Sequence, residues 1–269
     1  MKNKFLLIFL FLFAGAQAQV SSSGSELPEN IDVKLFRAIN SFRSPFLSGV
    51  IRFNDRSVLP NAIVAPLGLF TISRINKNYY DENSAILLGG SEAVAMGVSY
   101  GIKQIIQKNR PHKSLKNVYY ELDNSPTDRY SFPSIHTATA FSMATSLTLR
   151  YNDKPALIAG VYTYAFLVGY GRVYLGVHYP SDVLMGAAIG AGSSILMFSL
   201  RKEFIKLKSN VFNEEYSDEK GEGVNEFVAI GGLLGVNIIN DLLASTKVSV
   251  LKKTSLSTDL SSLSLKINF

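Results

Sequence analysis

The chain has 269 residues, of which 47% are hydrophobic and 18% are charged, with a formal net charge of +6 and no cysteine. Soluble domains carry about 25% charged residues, so this composition favours a membrane protein or a very apolar helical bundle. The lack of cysteine excludes disulfides and thiolate metal sites, and scattered short basic clusters argue against nucleic-acid binding, which requires a basic stripe with interleaved aromatic side chains.

The first 18 residues have the three parts of a bacterial export signal. Lys2 and Lys4 form a positive n-region, residues 5–13 are an unbroken apolar run, and residues 16–18 are a small-residue cleavage site. An uncleaved signal anchor is the alternative. Either segment would carry the following residues across the inner membrane, so we expect the working compartment to be the periplasm.

Apolar segments dominate the domain that we expect at residues 31–208. An amphipathic stretch at 31–42 is followed by five apolar segments, at 58–73, 85–102, 135–149, 155–169 and 182–200. A membrane span needs about 20 residues, so these lengths are borderline, and a soluble periplasmic bundle is the alternative. Alternating spans would place the strongly basic residues 201–208 inside, as the positive-inside tendency requires. We therefore expect an all-α helical bundle, embedded in the membrane, with its active site at the outer end.

The composition changes after residue 208. Residues 213–222 are acidic and polar, which is typical of a linker, and residues 227–243 are apolar and fit either a helix or a strand pair. The last residues alternate between apolar and polar. A region of this length is too short for the eight strands of the smallest outer-membrane barrel, so we expect 209–269 to be an accessory tail, either a small hairpin or loosely ordered.

A first cluster of chemically interesting residues contains Lys103 and Arg110. They are seven residues apart and would share a helix face, but Pro111 disfavours helix at Arg110. We expect the helix to end soon after Lys103 and Arg110 to turn back toward the same point. A planar arginine fork and a lysine point charge both suit phosphate. Nothing pairs with His112, which we expect to be an ordinary loop residue.

The second cluster contains the start signal of a helix. Pro133 and Ser134 precede the apolar segment at 135–149, and a serine near the N-cap, followed by free backbone N–H groups, forms an anion site. His136 would then lie in the first turn, beside the bound anion. A lone histidine there is often only a cap or core residue, but this position favours a catalytic role.

The third cluster has the same architecture. Pro180 suits the first helical turn, which places Tyr179 near the cap and Asp182 near the third position. His178 would lie just outside the helix, within reach of Asp182. A carboxylate on one ring nitrogen fixes the tautomer and leaves the other nitrogen free to attack phosphorus. Arg172 supplies a third cation.

Together these residues resemble the type 2 phosphatidic acid phosphatase superfamily, which also contains bacterial acid phosphatases and vanadium haloperoxidases. The family pattern of Lys-x6-Arg-Pro, Pro-Ser-Gly-His and Ser-Arg-x5-His-x3-Asp is met in order, over roughly residues 31–200, by Lys103, Arg110, Pro111, Pro133, Ser134, His136, Arg172, His178 and Asp182. The resemblance implies that His178 is the nucleophile, that Asp182 orients it and that His136 protonates the leaving oxygen. It also implies phosphate binding by Lys103, Arg110, Ser134, Ile135 (through its backbone) and Arg172, with no metal and no cofactor.

The chain departs from the family pattern at two positions. Ile135 stands where the family has glycine, and Gly171 stands where it has serine. Ile135 still offers a backbone N–H, but its β-branched side chain narrows the pocket floor. The missing serine hydroxyl removes one phosphate contact. Neither change removes a catalytic group, so we expect them to affect substrate range and rate.

The resemblance implies hydrolysis of a phosphomonoester or diphosphate through a phosphohistidine. For a membrane bundle that faces the periplasm, we expect a lipid substrate: phosphatidate, phosphatidylglycerol phosphate, a polyprenyl diphosphate or a phosphorylated glycolipid. The alternatives are a soluble periplasmic acid phosphatase that acts on small phosphomonoesters and a non-catalytic binder of anionic lipid head groups. A haloperoxidase is a more distant alternative, because the compact first motif and modest length resemble the phosphatases.

Overall fold

The computed structural model describes residues 30–121, 129–220, 254–259 and 262–267. The expected export signal and the ambiguous segment at 227–243 lie outside these residues. The described helices are α1 (Ile31–Ser41), α2 (Pro45–Ile75), α3 (Tyr79–Ile106), α4 (Pro111–Ser114), α5 (Ile135–Arg150), α6 (Pro155–Tyr174), α7 (Pro180–Ser199) and α8 (Arg201–Phe212). The expected all-α bundle is confirmed.

Helix α5 forms the centre of the bundle. It packs against α2, α3, α6 and α7, and most of its side chains are buried. Its sequence is rich in alanine, serine and threonine, and these small side chains let the surrounding helices approach closely. At its far end Leu147 joins the main apolar core with Val58, Leu88 and Val168.

Four helical segments are long and apolar enough to cross a membrane: Pro45–Ile75, Tyr79–Ser114, Pro155–Tyr174 and Pro180–Ser199. The sequence predicted five such segments, and α5 is the exception because it has 16 residues and is enclosed by other helices. The outward side chains of the spanning helices are apolar, with Ile63, Phe166 and Leu184 at 62%, 64% and 71% exposure. An apolar outer surface of this kind is suited to lipid.

Two glycines bring the starts of α5 and α7 into backbone contact. A Cβ atom on Gly186 would lie 2.5 Å from the carbonyl oxygen of Ser134, and one on Gly190 would overlap the carbonyl of Ala138. The backbone N–H of Ser134 also donates to the carbonyl of Asp182, at 3.0 Å. The N-termini of the two helices are therefore held side by side.

Residues 213–220 are fastened to the opposite end of the bundle, although their polar composition predicted a linker. Asp218 accepts two hydrogen bonds from the buried guanidinium of Arg150, at 2.6 and 3.0 Å. Nearby, the buried ammonium of Lys208, in α8, pairs with Glu82 at 3.1 Å. This segment therefore belongs to the folded bundle.

A small hairpin lies near the end of the chain. Strands β1 (Thr254–Asp259) and β2 (Ser262–Ile267) pair antiparallel, with Leu256 opposite Leu265.

Candidate active site

All the residues that the sequence motifs selected lie at one end of the bundle. Lys103 is in the last turn of α3, and Arg110 immediately precedes α4. The start of α5 contains Ser134, Ile135 and His136. Arg172 is in the last turn of α6, and the start of α7 is flanked by His178 and Asp182. The fold thus gathers residues that are up to one third of the chain apart.

Helix α3 ends just beyond Lys103, as the sequence predicted. Gln107 takes a left-handed conformation (φ 52°) and terminates the helix. The Lys103 side chain is buried, and its Nζ donates to the backbone carbonyl of Tyr130 at 2.7 Å. The ammonium is therefore fixed by the loop that leads to α5.

Arg110 is in direct contact with the predicted nucleophile. Its Nη1 donates to the carbonyl of Val177 at 3.0 Å and lies 3.3 Å from Nε2 of His178. The guanidinium is buried, and Pro111 begins the short helix α4 after it. Arg110 does turn back toward the other cations, as expected.

Ser134 is the N-cap of α5, as the sequence predicted. Its Oγ accepts hydrogen bonds from Thr137, at 3.3 Å from the backbone N–H and 2.9 Å from the hydroxyl. The hydroxyl proton of Ser134 is therefore available to an acceptor. Ile135 and His136 occupy the first two helical positions, where backbone N–H groups have no partner within the helix. This end of α5 is suited to an anion.

His178 is buried to 1% exposure at the centre of the site. Burial, together with the positive charges of Arg110, Arg172, Lys103 and His136, lowers the pKa of His178 well below its usual value. The ring is therefore neutral at neutral pH, with a lone pair that can attack an electrophile. These four charged residues all belong to the three sequence motifs.

Asp182 lies behind the His178 ring. Its Oδ2 is 3.6 Å from Nδ1 of His178, slightly beyond hydrogen-bond distance, and accepts the backbone N–H of Tyr179 at 2.9 Å. The carboxylate is fully buried. Tyr179 is the N-cap residue and Asp182 the third residue of α7, as the sequence predicted.

The sequence analysis missed Asp55. This residue lies in α2 and forms a buried ion pair with Nη1 of Arg172. The hydropathy pattern started this helix near residue 58, so Asp55 was left outside it. A charged residue at helical spacing before an apolar run was the available signal.

Lys108 was also missed. Its Nζ lies 2.9 Å from Oδ1 of Asp182 and 3.3 Å from Oδ2 of Asp32 in α1. The sequence showed it only as one of several lysines between residues 103 and 116. Only the fold shows that it points at the carboxylate behind His178, the predicted nucleophile.

Packing accounts for one departure from the family motif. A Cβ atom on Gly171 would lie 2.9 Å from Cγ2 of Ile51, which is buried in α2. A serine at position 171 would therefore require Ile51 to move. Glycine at position 171 therefore allows close packing of α2 against α6, at the expense of the serine hydroxyl.

His112 is not the unpaired loop residue that the sequence predicted. Its Nδ1 lies 3.2 Å from the carbonyl oxygen of Gly176, and its ring is 4.3 Å from that of Tyr120. Gly176 has φ +80° and leaves no room for a side chain beside the backbone of Tyr119. His112 therefore supports the turn that leads to His178, a contact between distant residues that local pattern cannot predict.

Known proteins are similar to this chain in both sequence and fold. A model of the PAP2 superfamily matches residues 84–206. An undecaprenyl-diphosphatase from Sulfolobus acidocaldarius is 30% identical over 73% of this chain and 91% of its own length. A lipid A 4'-phosphatase from Bacteroides thetaiotaomicron is 24% identical over 69% of this chain and 84% of its own length.

A solved structure has a similar fold. The crystal structure of Aquifex aeolicus LpxE is 28% identical and matches with a TM-score of 0.54, over 65% of this chain and 99% of that chain. The motifs, the fold and the relatives agree. The chain therefore belongs to the PAP2 superfamily and is a phosphoric ester hydrolase built on a membrane-spanning helical bundle.

Proposed function

We propose that this protein is a metal-free phosphatase that releases phosphate from a lipid phosphate or lipid diphosphate through a phosphohistidine at His178. The observation that carries the proposal is the buried His178 ring, whose Nε2 lies 3.3 Å from the Arg110 guanidinium. The neutral ring supplies the nucleophile, and the guanidinium beside it can hold the phosphoryl oxygens next to the attacking nitrogen.

Two steps complete the reaction. In the first step, Nε2 of His178 attacks phosphorus, the bond from phosphorus to the lipid oxygen breaks, and His136 gives that oxygen its proton. In the second step, His136 takes a proton from water, the resulting hydroxide attacks phosphorus, and phosphate leaves as His178 is restored. The Asp182 carboxylate, 3.6 Å from Nδ1, stabilises the positive charge that the ring acquires on phosphorylation.

Fixed cations support a mechanism without a metal. Lys103, Arg110 and Arg172 are buried, and each is held by an oxygen of the protein. Preorganised charge of this kind stabilises the transition state without reorganisation. Within residues 30–121 and 129–220, no three histidine or carboxylate side chains lie close enough to hold a metal ion.

The membrane-spanning bundle supports a lipid substrate. The site lies at the ends of helices whose outer surfaces are apolar, so a lipid whose chains lie in the bilayer would have its head group at the level of the cations. The relatives named above act on undecaprenyl diphosphate and lipid A. We place the catalytic domain at residues 31–208, with residues 209–220 packed on its end opposite the site.

Phosphate release tests the proposed function. We expect the purified enzyme in detergent to hydrolyse at least one of phosphatidate, phosphatidylglycerol phosphate and undecaprenyl diphosphate, in EDTA as well as without it. His178→Ala should abolish turnover and the acid-labile radiolabelled phosphoenzyme. Lys113→Ala, a change at an exposed position of α4, is the control and should retain both. Turnover by His178→Ala would overturn the nucleophile, and a requirement for added metal would overturn the metal-free mechanism.

We also propose that the site faces the periplasm, with the bundle in the inner membrane. The support is the apparent export signal at 1–18 and the basic helix α8 at the opposite end. Exposed lysines occur at both ends of the bundle, however, among them Lys116 near the site and Lys202 in α8. Labelling of single cysteines at the two ends of the bundle therefore decides the orientation.

Single cysteines can test this orientation, because the native chain has none. An impermeant thiol reagent applied to intact spheroplasts should label Lys116→Cys and leave Asn152→Cys, at the opposite end, unlabelled until the membrane is opened. Labelling of Asn152→Cys alone would reverse the orientation. Labelling of both, in a protein that carbonate washes off the membrane, would favour the soluble phosphatase.

A further inference from the structure

Lys108, in the turn between α3 and α4, is enclosed by oxygen atoms. Its Nζ lies 2.9 Å from Oδ1 of Asp182, 3.0 Å from Oγ of Ser181 and 3.3 Å from Oδ2 of Asp32. An ammonium group has three N–H donors, so every donor has an acceptor. The side chain is 17% exposed. This lysine is held too firmly to serve as a mobile surface charge.

An aromatic ring completes the enclosure of Lys108. The Nζ lies 4.2 Å from the centre of the Tyr179 ring. Burial raises the pKa of Tyr179 to about 12, so the phenol is neutral and the contact is a cation–π interaction. The Tyr179 ring also packs against Phe36 of α1, with 5.8 Å between the ring centres.

Helix α1 contributes the carboxylate that holds this arrangement together. Oδ1 of Asp32 accepts the backbone N–H of Ser181 at 2.8 Å, and Oδ2 accepts the Ser181 hydroxyl at 2.6 Å. Ser181 is the second residue of α7, where a backbone N–H has no acceptor within the helix. Asp32 therefore caps the helix that carries Asp182.

The two oxygens of Asp182 have different partners. Oδ1 pairs with Lys108, while Oδ2 accepts the N–H of Tyr179 and faces His178. A fully buried carboxylate is costly unless a cation and hydrogen bonds compensate for its lost hydration. The Lys108 ammonium is a fixed cation that provides this compensation and sets the rotation of the carboxylate.

We propose that Lys108 is a positioning residue, which keeps Asp182 ionised and directed at His178, and that Asp32 holds Lys108 in place. Helix α1 is then part of the catalytic apparatus. The inference rests on the proposed role of His178 as the nucleophile. When Nε2 bonds to phosphorus the ring becomes cationic, and the correctly directed Asp182 carboxylate stabilises that charge.

The rate of phosphoenzyme formation tests the inference in a single turnover. The probe is whichever of radiolabelled phosphatidate, phosphatidylglycerol phosphate and undecaprenyl diphosphate the wild-type enzyme hydrolyses fastest. Lys108→Met should lower the rate constant of phosphoenzyme formation by up to about 100-fold, while the substrate concentration that gives half of the maximal single-turnover rate constant is retained. Asp32→Asn should lower the rate constant less. Lys113→Met, a change of an exposed lysine in α4, is the matched control and should have no effect.

A double variant separates positioning from general damage. If Lys108 acts through Asp182, Lys108→Met should cause no further loss in the Asp182→Asn background. Lys108→Gln, which keeps a donor but no charge, replaces Lys108→Met if the latter does not fold. An unchanged rate constant in the lysine variant, or an equal loss in both backgrounds, would overturn the inference. A wild-type enzyme that forms no phosphoenzyme would instead overturn the proposed function.

Discussion

At the scale of single residues, the buried ring of His178 links the stability of the fold to pH. Burial and the surrounding cations lower the pKa of the folded ring, whereas the unfolded ring titrates near its ordinary value of about 6.5. Below that pH the unfolded state binds the proton more readily, so the free energy of unfolding falls as the solution becomes more acidic.

We therefore expect the melting temperature of the wild-type protein to fall from pH 6.5 toward pH 5, as the free energy of unfolding decreases with a slope that approaches about 1.4 kcal/mol per pH unit below the unfolded pKa. His178→Gln should remove that part of the decline. Thermal unfolding in detergent at a series of pH values measures it. Parallel curves for the two proteins would show that His178 does not titrate on unfolding.

Glu92, in α3, is a buried residue that should lower the free energy of unfolding. Both of its carboxylate oxygens are buried and have no hydrogen-bond partner among the described residues. An unsatisfied buried polar group costs about 1–3 kcal/mol, so Glu92→Met should raise the melting temperature by several degrees. Glu203→Met, at an exposed position of α8, is the control and should not. A lower melting temperature for Glu92→Met would indicate a stabilising partner for the carboxylate.

The sequence predicted the residues around His178 because motif spacing and helix-start signals are local properties. Asp55 and Lys108 escaped prediction for the opposite reason. Each acts on a residue more than 70 positions away; Asp55 lies outside the motifs, and Lys108 occupies a variable position within the first one. The packing of the helices determines which residues they contact, and that packing cannot be derived from a single sequence.

At the scale of helices, the close approach of α5 and α7 places two helix N-termini beside each other at the site. Gly190→Ala would put a methyl group into the backbone of Ala138 and within 2.8 Å of the backbone nitrogen of Ser142. Overpacking of this kind costs about 1–3 kcal/mol, and it separates Ser134 from Asp182. We expect both the melting temperature and kcat/KM to fall.

Gly192→Ala is the matched control for that experiment. Gly192 lies on the same helix, and a Cβ atom there would meet nothing within 4 Å. Alanine has the higher helix propensity, so stability should be unchanged or slightly greater. Equal effects at positions 190 and 192 would show that the contact between the helices is unimportant.

Helix starts that carry a capping signal were predicted better than helix starts that carry none. Ser134 and Pro180 mark the starts of α5 and α7 through capping chemistry that is written in the local sequence. Helix α2, however, begins at Pro45 and not near residue 58. The prediction missed its first turns because they carry polar and charged residues, which a hydropathy pattern excludes. Those residues are tolerated since other helices pair with them, as Arg172 does with Asp55.

At the scale of the whole molecule, the ion pairs at the end opposite the site stabilise the bundle. Asp218→Asn would leave the buried guanidinium of Arg150 without its carboxylate, which we expect to cost roughly 3 kcal/mol. The melting temperature should fall while the catalytic constants of the folded enzyme stay the same. Glu219→Gln, at an exposed neighbouring position, is the control. No difference between the two variants would assign residues 213–220 a passive role.

The same fastening has a practical consequence for handling the protein. Because residues 213–220 are bound to the end away from His178, the chain continues past Lys220 from the far side of the bundle. An affinity tag inserted directly after Lys220 should therefore anchor the enzyme to a surface with the His178 site directed away from that surface. A lipid nanodisc immobilised in this way would present its substrate-accepting leaflet to the flowing solution.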